Sequence, residues 1–352
     1  MSKKIKPIAI YLPQFHPIPE NDAWWGKGFT EWTNVTKTKP HFKGHYQPHL
    51  PADLGFYDLR LEEARIAQAE LAKAYGIHGF CYYHYWFNGK RIIERPFQEV
   101  FESGKPDFPF MLCWANENWT RIWDGATDNI LLKQDYSEED DREHIKYLIP
   151  YFKDERYIKV DGKPIFIVYR PKFFPNIERT LEIWREEAKK EGFEDLYLGF
   201  SQNDEHQFEP TSKGFDFAFE FQPNFKRVPV NAINTFIRKI KFKLGIKNRN
   251  IFDYEKYSKL QMNQPFKPNV YPGITPMWDN SARKKRSFIL HNSTPKKYGK
   301  WLKHINDSYP WDSVPENFLF INAWNEWAEG NHLEPCQKWG LDYLKATKKN
   351  LE

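Results

Sequence analysis

A chain of 352 residues can hold two ordinary domains or one large α/β barrel, and either buries a sizeable core. Aromatic residues make up 18% of it in an otherwise polar background, mean hydropathy −0.77, which suits a carbohydrate-handling cleft or simply a bulky aromatic core. The net charge of +5 is modest; no apolar window is long enough to span a membrane, no signal-peptide pattern opens the chain, and Cys81, Cys113 and Cys336 have no CxxC spacing, so a cytoplasmic protein with reduced thiols is expected.

In chain order, apolar strand-like runs alternate with helical patterns. The strand candidates are Ile8–Leu12, Gly79–Tyr83, Phe110–Trp114, Pro164–Tyr169, Leu196–Phe200, Phe215–Phe219, Val270–Pro276 and Phe318–Ala323. Helical periodicity is read at Leu59–Tyr75, Ile93–Phe101, Glu138–Phe152, Ile177–Glu191, Pro295–Ile305 and Trp339–Lys348. Such alternation predicts a parallel sheet, and this count fits a single (β/α)8 TIM barrel with long βα loops. No linker divides the chain, so residues 1–352 are read as one domain with a basic insertion at about 222–262.

The long first loop, Gln14 to Leu54, is large enough to roof a cleft and carries Trp24 and Trp25 as candidate sugar platforms. His41, His45 and His49 recur every four residues, but Pro40, Gly44, Pro48 and Pro51 argue against the helix that would align them as ligands, and no metal or other cofactor is expected. Lys226 to Arg249 holds eight basic residues and no acidic one, with Phe236, Ile237, Ile240, Phe242 and Leu244 interleaved. Either a helix lying on an anionic membrane or a solvated helix covering the barrel would have this pattern. Nucleic acid is not expected, because no recognition fold accompanies the patch.

In a barrel of this kind the chemistry sits where strands end. The second strand runs into His84, Tyr85 and Trp86, and the third, closing on Trp114, into Asn116, Glu117, Asn118 and Trp119. The fifth runs into Gln202, Asn203 and Asp204, the seventh into Trp278, Asp279 and Asn280. Amides and carboxylates that grip hydroxyls, interleaved with indoles, are what a sugar site needs. His84 reads equally as a proton shuttle or a structural histidine. Glu117 reads as a catalytic or hydroxyl-binding carboxylate, or as the holder of an arginine such as Arg121. The last strand leads into Trp324 and Asn325, then Glu326 and Glu329. In helical geometry that spacing puts two Cβ atoms roughly 5–6 Å apart. Two carboxyls in a dry cleft can divide acid and base roles, the pattern of glycoside hydrolysis; a pair of strand-end salt bridges is the alternative. Gly26-Lys27-Gly28 lacks the following Gly and helix onset of a phosphate-binding loop.

The stretch AWNEWAEGNHLEP resembles the NEWHEG-type motif of glycoside hydrolase family 99, the endo-acting α-mannosidases and α-mannanases. IAIYLPQFHPIPENDAWWGKGFTEWTNV, GHYQPHLPADLGFYDLR, GFCYYHYWFNG and WANENWTRIWDG resemble the WbsX-like proteins of bacterial polysaccharide biosynthesis, over nearly the whole chain. Ala328 stands where the hydrolases carry His. The resemblance implies a retaining mechanism in which Glu326 takes the proton from a sugar 2-hydroxyl and that oxygen attacks C1 to form a 1,2-anhydro intermediate. Glu329 would protonate the leaving oxygen and then activate water. The expected partner is an oligo- or polysaccharide. A glycosyltransferase of lipopolysaccharide O-antigen or capsule assembly, and a non-catalytic glycan-binding barrel, are the alternatives.

Overall fold

The computed structural model describes residues 4–120, 130–203, 207–230, 250–284 and 286–351. Its centre is a ring of parallel strands: β1 (Lys6–Tyr11), β2 (Gly79–His84), β3 (Phe110–Trp114), β4 (Lys163–Val168), β5 (Tyr197–Gln202), β6 (Phe217–Glu220), β7 (in two pieces, Val270–Tyr271 and Gly273–Ile274) and β8 (Phe318–Ile321). Ile8 of β1 sits opposite Gly79 of β2 on one side and Phe320 of β8 on the other. The first piece of β7 pairs with β6 and the second with β8, so the chain closes the ring by changing partner across Pro272. That switch needs a glycine: a Cβ on Gly273 would lie 1.6 Å from the Glu220 carbonyl oxygen.

The helices are α1 (Pro19–Trp25), α2 (Glu31–Lys37), α3 (Glu62–Ala74), α4 (Arg95–Ser103), α5 (Glu138–Lys153), α6 (Ile177–Lys190), α7 (Tyr254–Met262), α8 (Pro295–Ser308) and α9 (Asp342–Leu351). Their ends follow local rules. At α5, Ser137 accepts from the Asp140 N–H, four acidic residues occupy the first turn, and Ile145, Leu148, Ile149 and Phe152 form the buried stripe. At α8, Thr294 caps the Lys297 N–H and Pro295 sits at the first helical position. The six predicted helices are thus present with shifts of a few residues, while α1 and α2 lie in the segment read as a first loop.

Between β6 and β7, Asn250–Asp253 pairs with Phe288–His291, which pairs antiparallel with Trp278–Asp279 to give a small second sheet. The helix expected within the basic stretch falls mostly at 231–249, outside the described residues. Among the described residues, no helix is long and apolar enough to cross a membrane. Cys81, Cys113 and Cys336 are free and buried.

Strand alternation decides which side chains reach the barrel mouth. Leu12, Gln14, Tyr83, Tyr85, Ala115, Glu117, Tyr169, Phe221 and Asn322 line a common cleft there. Counting back by twos puts Ile10, Cys81, Cys113, Ile167, Phe219 and Phe320 on the inner face, and the Phe219 and Phe320 rings stack with centroids 4.3 Å apart. The other parity faces the helices.

Candidate active site

The floor of the cleft is built where β8 leaves the ring. Asn325 clasps β1, its Oδ1 accepting from the Leu12 N–H at 2.7 Å and its Nδ2 donating to the Leu12 carbonyl at 3.0 Å. Asn325–Glu326 then pairs antiparallel with Asn331–His332. Between these arms Trp327–Glu329 make a single 3-10 turn, closed by the Gly330 N–H donating to the Trp327 carbonyl at 2.9 Å. Gly330 has φ 53°, and a Cβ on it would come within 2.9 Å of Asp279 Cβ, so conformation and space both demand glycine. Glu326 and Glu329 therefore stand at the two ends of one tight turn, and both line the cleft.

One arginine joins them. Arg283 reaches Glu326 Oε2 through Nη2 at 3.2 Å and Glu329 Oε1 through Nη1 at 3.0 Å. Nη2 also meets Glu31 Oε1 at 2.6 Å, and the same oxygen accepts the Ala328 N–H at 3.0 Å. Three carboxylates thus surround one guanidinium in a poorly hydrated floor. Burial pushes the Glu326 carboxyl up to about 8, against the pull of Arg283 and with further push from Glu329 and Glu31. Burial likewise raises Glu31. The guanidinium, held by all three, is stabilised in its charged form.

The cleft above them holds about 270 Å³. Tyr83, Tyr85 and Tyr169 supply phenols, and Trp119 supplies an indole whose ring lies 5.4 Å from Tyr85 and 5.9 Å from Trp24. Glu117 sits on the wall and takes the Arg170 Nε–H at 2.9 Å. That arginine lies 4.2 Å over the Tyr169 ring; the suggested partner Arg121 lies outside the described residues.

Of the candidates read from the sequence, Glu326, Glu329, Tyr85, Glu117, Asn118 and Trp119 line the cleft, with Trp24 packed behind Trp119. Trp25 packs beside Phe29 at 6.0 Å. His84, Trp86 and Trp114 have the opposite parity and face α5. His84 Nε2 lies 2.9 Å from His144 Nε2, Trp86 stacks on His144 with its N–H on Asp140, and Trp114 is fully buried against Trp184. The loss of solvent holds both His84 and His144 neutral, so His84 takes the structural alternative. Asn116 ties β3 to β4 by accepting the Arg170 N–H and donating to its carbonyl. Trp324 is enclosed beside Phe80. Asn203 is buried after β5, its carbonyl accepting from Gln207; Asp204 lies outside the described residues.

Trp278 and Asp279 line a separate small cavity of about 60 Å³ behind the Glu326–Glu329 turn, with His45, His49 and His291. Asp279 Oδ2 is 2.5 Å from His45 Nε2, and His49 Nδ1 is 3.0 Å from His332 Nε2. Among the described residues no group of three His, Cys, Asp or Glu side chains could hold a metal ion.

Sequence reasoning missed Glu31, Arg283, Tyr83 and Tyr169. Glu31 had a signal, its place in the quoted GKGFTEWTNV stretch, but it fell in the segment read as a loop, where nothing marked it as reaching the floor. Arg283, in SARKKR, reads as one more surface base. The tyrosines closed the strand-like runs Gly79–Tyr83 and Pro164–Tyr169, and only the residues after those runs were weighed as site candidates.

An eight-position parallel barrel with helices between its strands defines the class, an α/β fold of the TIM-barrel type. Residues 7–347 match the family described as Glycosyltransferase WbsX, and the chain belongs to that family of carbohydrate-active proteins. It is 41% identical over 348 residues to the uncharacterized protein WxcX of Xanthomonas campestris pv. campestris strain B100, covering 98% of this chain and 49% of that one. The chain thus spans about half the length of the curated relatives it matches. Among solved structures, a glycoside hydrolase-like protein superposes with TM-score 0.63 at 13% identity, over 99% of this chain and 94% of that one. The GH99 endo-alpha-mannosidase of Bacteroides thetaiotaomicron gives 0.59 at 14% identity, over 97% and 95%. At such identities these likenesses concern the fold alone.

Proposed function

We propose that the protein is a carbohydrate-active enzyme that cleaves a glycosidic bond with retention, in the manner of an endo-α-mannosidase, within a surface polysaccharide or its precursor. The observation that carries this reading is the placement of Glu326 and Glu329 on one turn at the floor of an aromatic cleft, joined by a single guanidinium. Following the family resemblance, Glu326 draws the proton from the substrate 2-hydroxyl, and that oxygen displaces the leaving group at C1. Glu329 donates a proton to the departing oxygen, then takes one from the water that opens the 1,2-anhydro ring. Burial keeps a proton on Glu326 near neutral pH. Before this direction of chemistry can run, Glu326 must pass that proton to Glu329, which then delivers it to the leaving oxygen.

Transfer to a sugar acceptor in O-antigen or capsule assembly is the second reading, favoured by the description of the family. It needs the same cleft and the same pair, with an acceptor hydroxyl in place of water. We place the protein in the cytoplasm, with the basic 226–249 stretch touching anionic lipid. Sedimentation with anionic vesicles at low salt tests that contact, and failure to sediment removes it.

Incubation with α-mannosides, other oligosaccharides and sugar nucleotides separates the readings. Release of a sugar with retained anomeric configuration supports hydrolysis, and products longer than the substrate support transfer. Binding without turnover of any of them reduces the protein to a glycan-binding barrel.

A further inference from the structure

Glu31 reaches the cleft floor from far away in sequence and is held there firmly. It opens α2, which packs on both the Trp327–Glu329 turn and the Asn280–Ala282 turn that precedes Arg283. Its neighbour Trp32 fixes the helix: the indole N–H donates to the Tyr57 carbonyl at 2.9 Å, and the ring lies 4.8 Å from Phe15 and 5.5 Å from Trp327. Glu31 is fully buried. Its Oε1 takes both the Arg283 Nη2–H and the Ala328 N–H, and its Oε2 is buried with no hydrogen-bond partner. Arg283 is thus closer to Glu31, at 2.6 Å, than to Glu326 at 3.2 Å or Glu329 at 3.0 Å. The guanidinium is anchored from behind and only touches the two glutamates that face the cleft.

We propose that Glu31 and Arg283 act as a positioning pair, seating the Trp327–Glu329 turn and holding the guanidinium against both cleft glutamates without letting it close on either. The inference rests on the reading of Glu326 and Glu329 as the reacting pair. Without the negative charge of Glu31, Nη2 is free to move fully onto Glu326, which then becomes a committed ion-pair partner and a weaker base. The other groups facing Glu326 are Glu329 on its own turn, Tyr83 in β2 and Tyr85 just after it, with Lys284 beside Arg283 on the cleft wall. None of these reaches Arg283 from the buried side, where Glu31 stands.

The test follows the Glu326 carboxyl directly, by NMR titration of protein carrying ¹³C-labelled glutamate side chains, with Glu326→Gln assigning the signal. Glu31→Gln retains the acceptor oxygen for Ala328 and Arg283 but loses the charge, and the Glu326 midpoint should fall by about 1 pH unit or more. Arg283→Gln should move it the opposite way, and Glu31→Asp should restore it towards the parent. A Glu31→Gln midpoint equal to the parent's, or shifted in the same direction as that of Arg283→Gln, overturns the proposal. Should Glu31→Gln fail to fold, the Arg283→Gln midpoint decides alone, because the pair requires it to rise. The readout needs no substrate. Activity that survives in both Glu326→Gln and Glu329→Gln defeats the functional reading, while an unmoved titration defeats only the positioning pair.

Discussion

Glu326 stands on one arm of a hairpin and Glu334 two residues past the other, and both are buried carboxyls. Glu334 is enclosed by neutral donors: the Tyr57 hydroxyl at 2.8 Å, the Trp327 indole N–H at 2.6 Å and the Gln68 amide at 2.6 Å. It ties the turn to α3 and has no open side. Glu326 has a charged partner that it shares with two other carboxylates, and open space above it. Burial raises both, Glu334 to about 7 and Glu326 to about 8. A perturbed carboxyl alone therefore does not mark a reacting group. What separates the two is whether their hydrogen-bonding capacity is already spent on the fold.

The largest expected effect comes from removing the cleft pair. Glu326→Gln and Glu329→Gln should each cut turnover by ~10²–10⁴-fold, the usual scale of general acid–base catalysis, while thermal unfolding stays close to the parent's. Aryl glycosides with good leaving groups should rescue Glu329→Gln in part and Glu326→Gln much less. Equal rescue of both would exchange or merge their roles.

On the closed side the effect should appear in stability. Glu334→Ala strands the Tyr57, Trp327 and Gln68 donors in the interior, at a cost of about 3 kcal/mol or more, given ~1–3 kcal/mol per unsatisfied buried group. Urea unfolding measures this directly. A variant as stable as the parent would mean that these donors find other partners and that the contrast with Glu326 is not one of saturation.

Acidity gives a shared signature. Both carboxyls keep their protons in the folded chain to a higher pH than in the unfolded chain, whose glutamates titrate near ~4.3. Between those limits the native state binds more protons, so stability should fall as pH rises from ~4.3 through about 7 for Glu334 and about 8 for Glu326. Unfolding free energies from pH 5 to 8.5 should flatten above pH 7 in Glu326→Gln, and a rising curve over that interval would reverse the assignment of cause to burial. The mildest change is expected from Trp119→Ala on the cleft wall. It should weaken substrate binding by ~0.5–1.5 kcal/mol, the scale of one aromatic contact, and raise KM several-fold with kcat nearly held.

The strands were legible because parallel barrel strands are buried on both faces and read as continuous apolar runs. The same property hid the parity. In GFCYYHYWFNG nothing alternates, so His84 and Trp86 looked as eligible as Tyr83 and Tyr85, although only the tyrosines face the cleft. Glu326 and Glu329 were legible because a polar pair ends an apolar run within one turn. Glu31 and Arg283 were not, because their meaning arises only when α2 and the segment before α8 are brought together on the floor.

β1 and β8 are neighbours in the ring, so the floor is assembled across the seam between the first and last strands. Leu12 meets Asn325, Glu31 meets Ala328, and Tyr57 and Gln68 meet Glu334. The floor therefore depends on contacts between residues hundreds of positions apart in the chain, and loosening the seam on its β1 side disturbs side chains that belong to its β8 side.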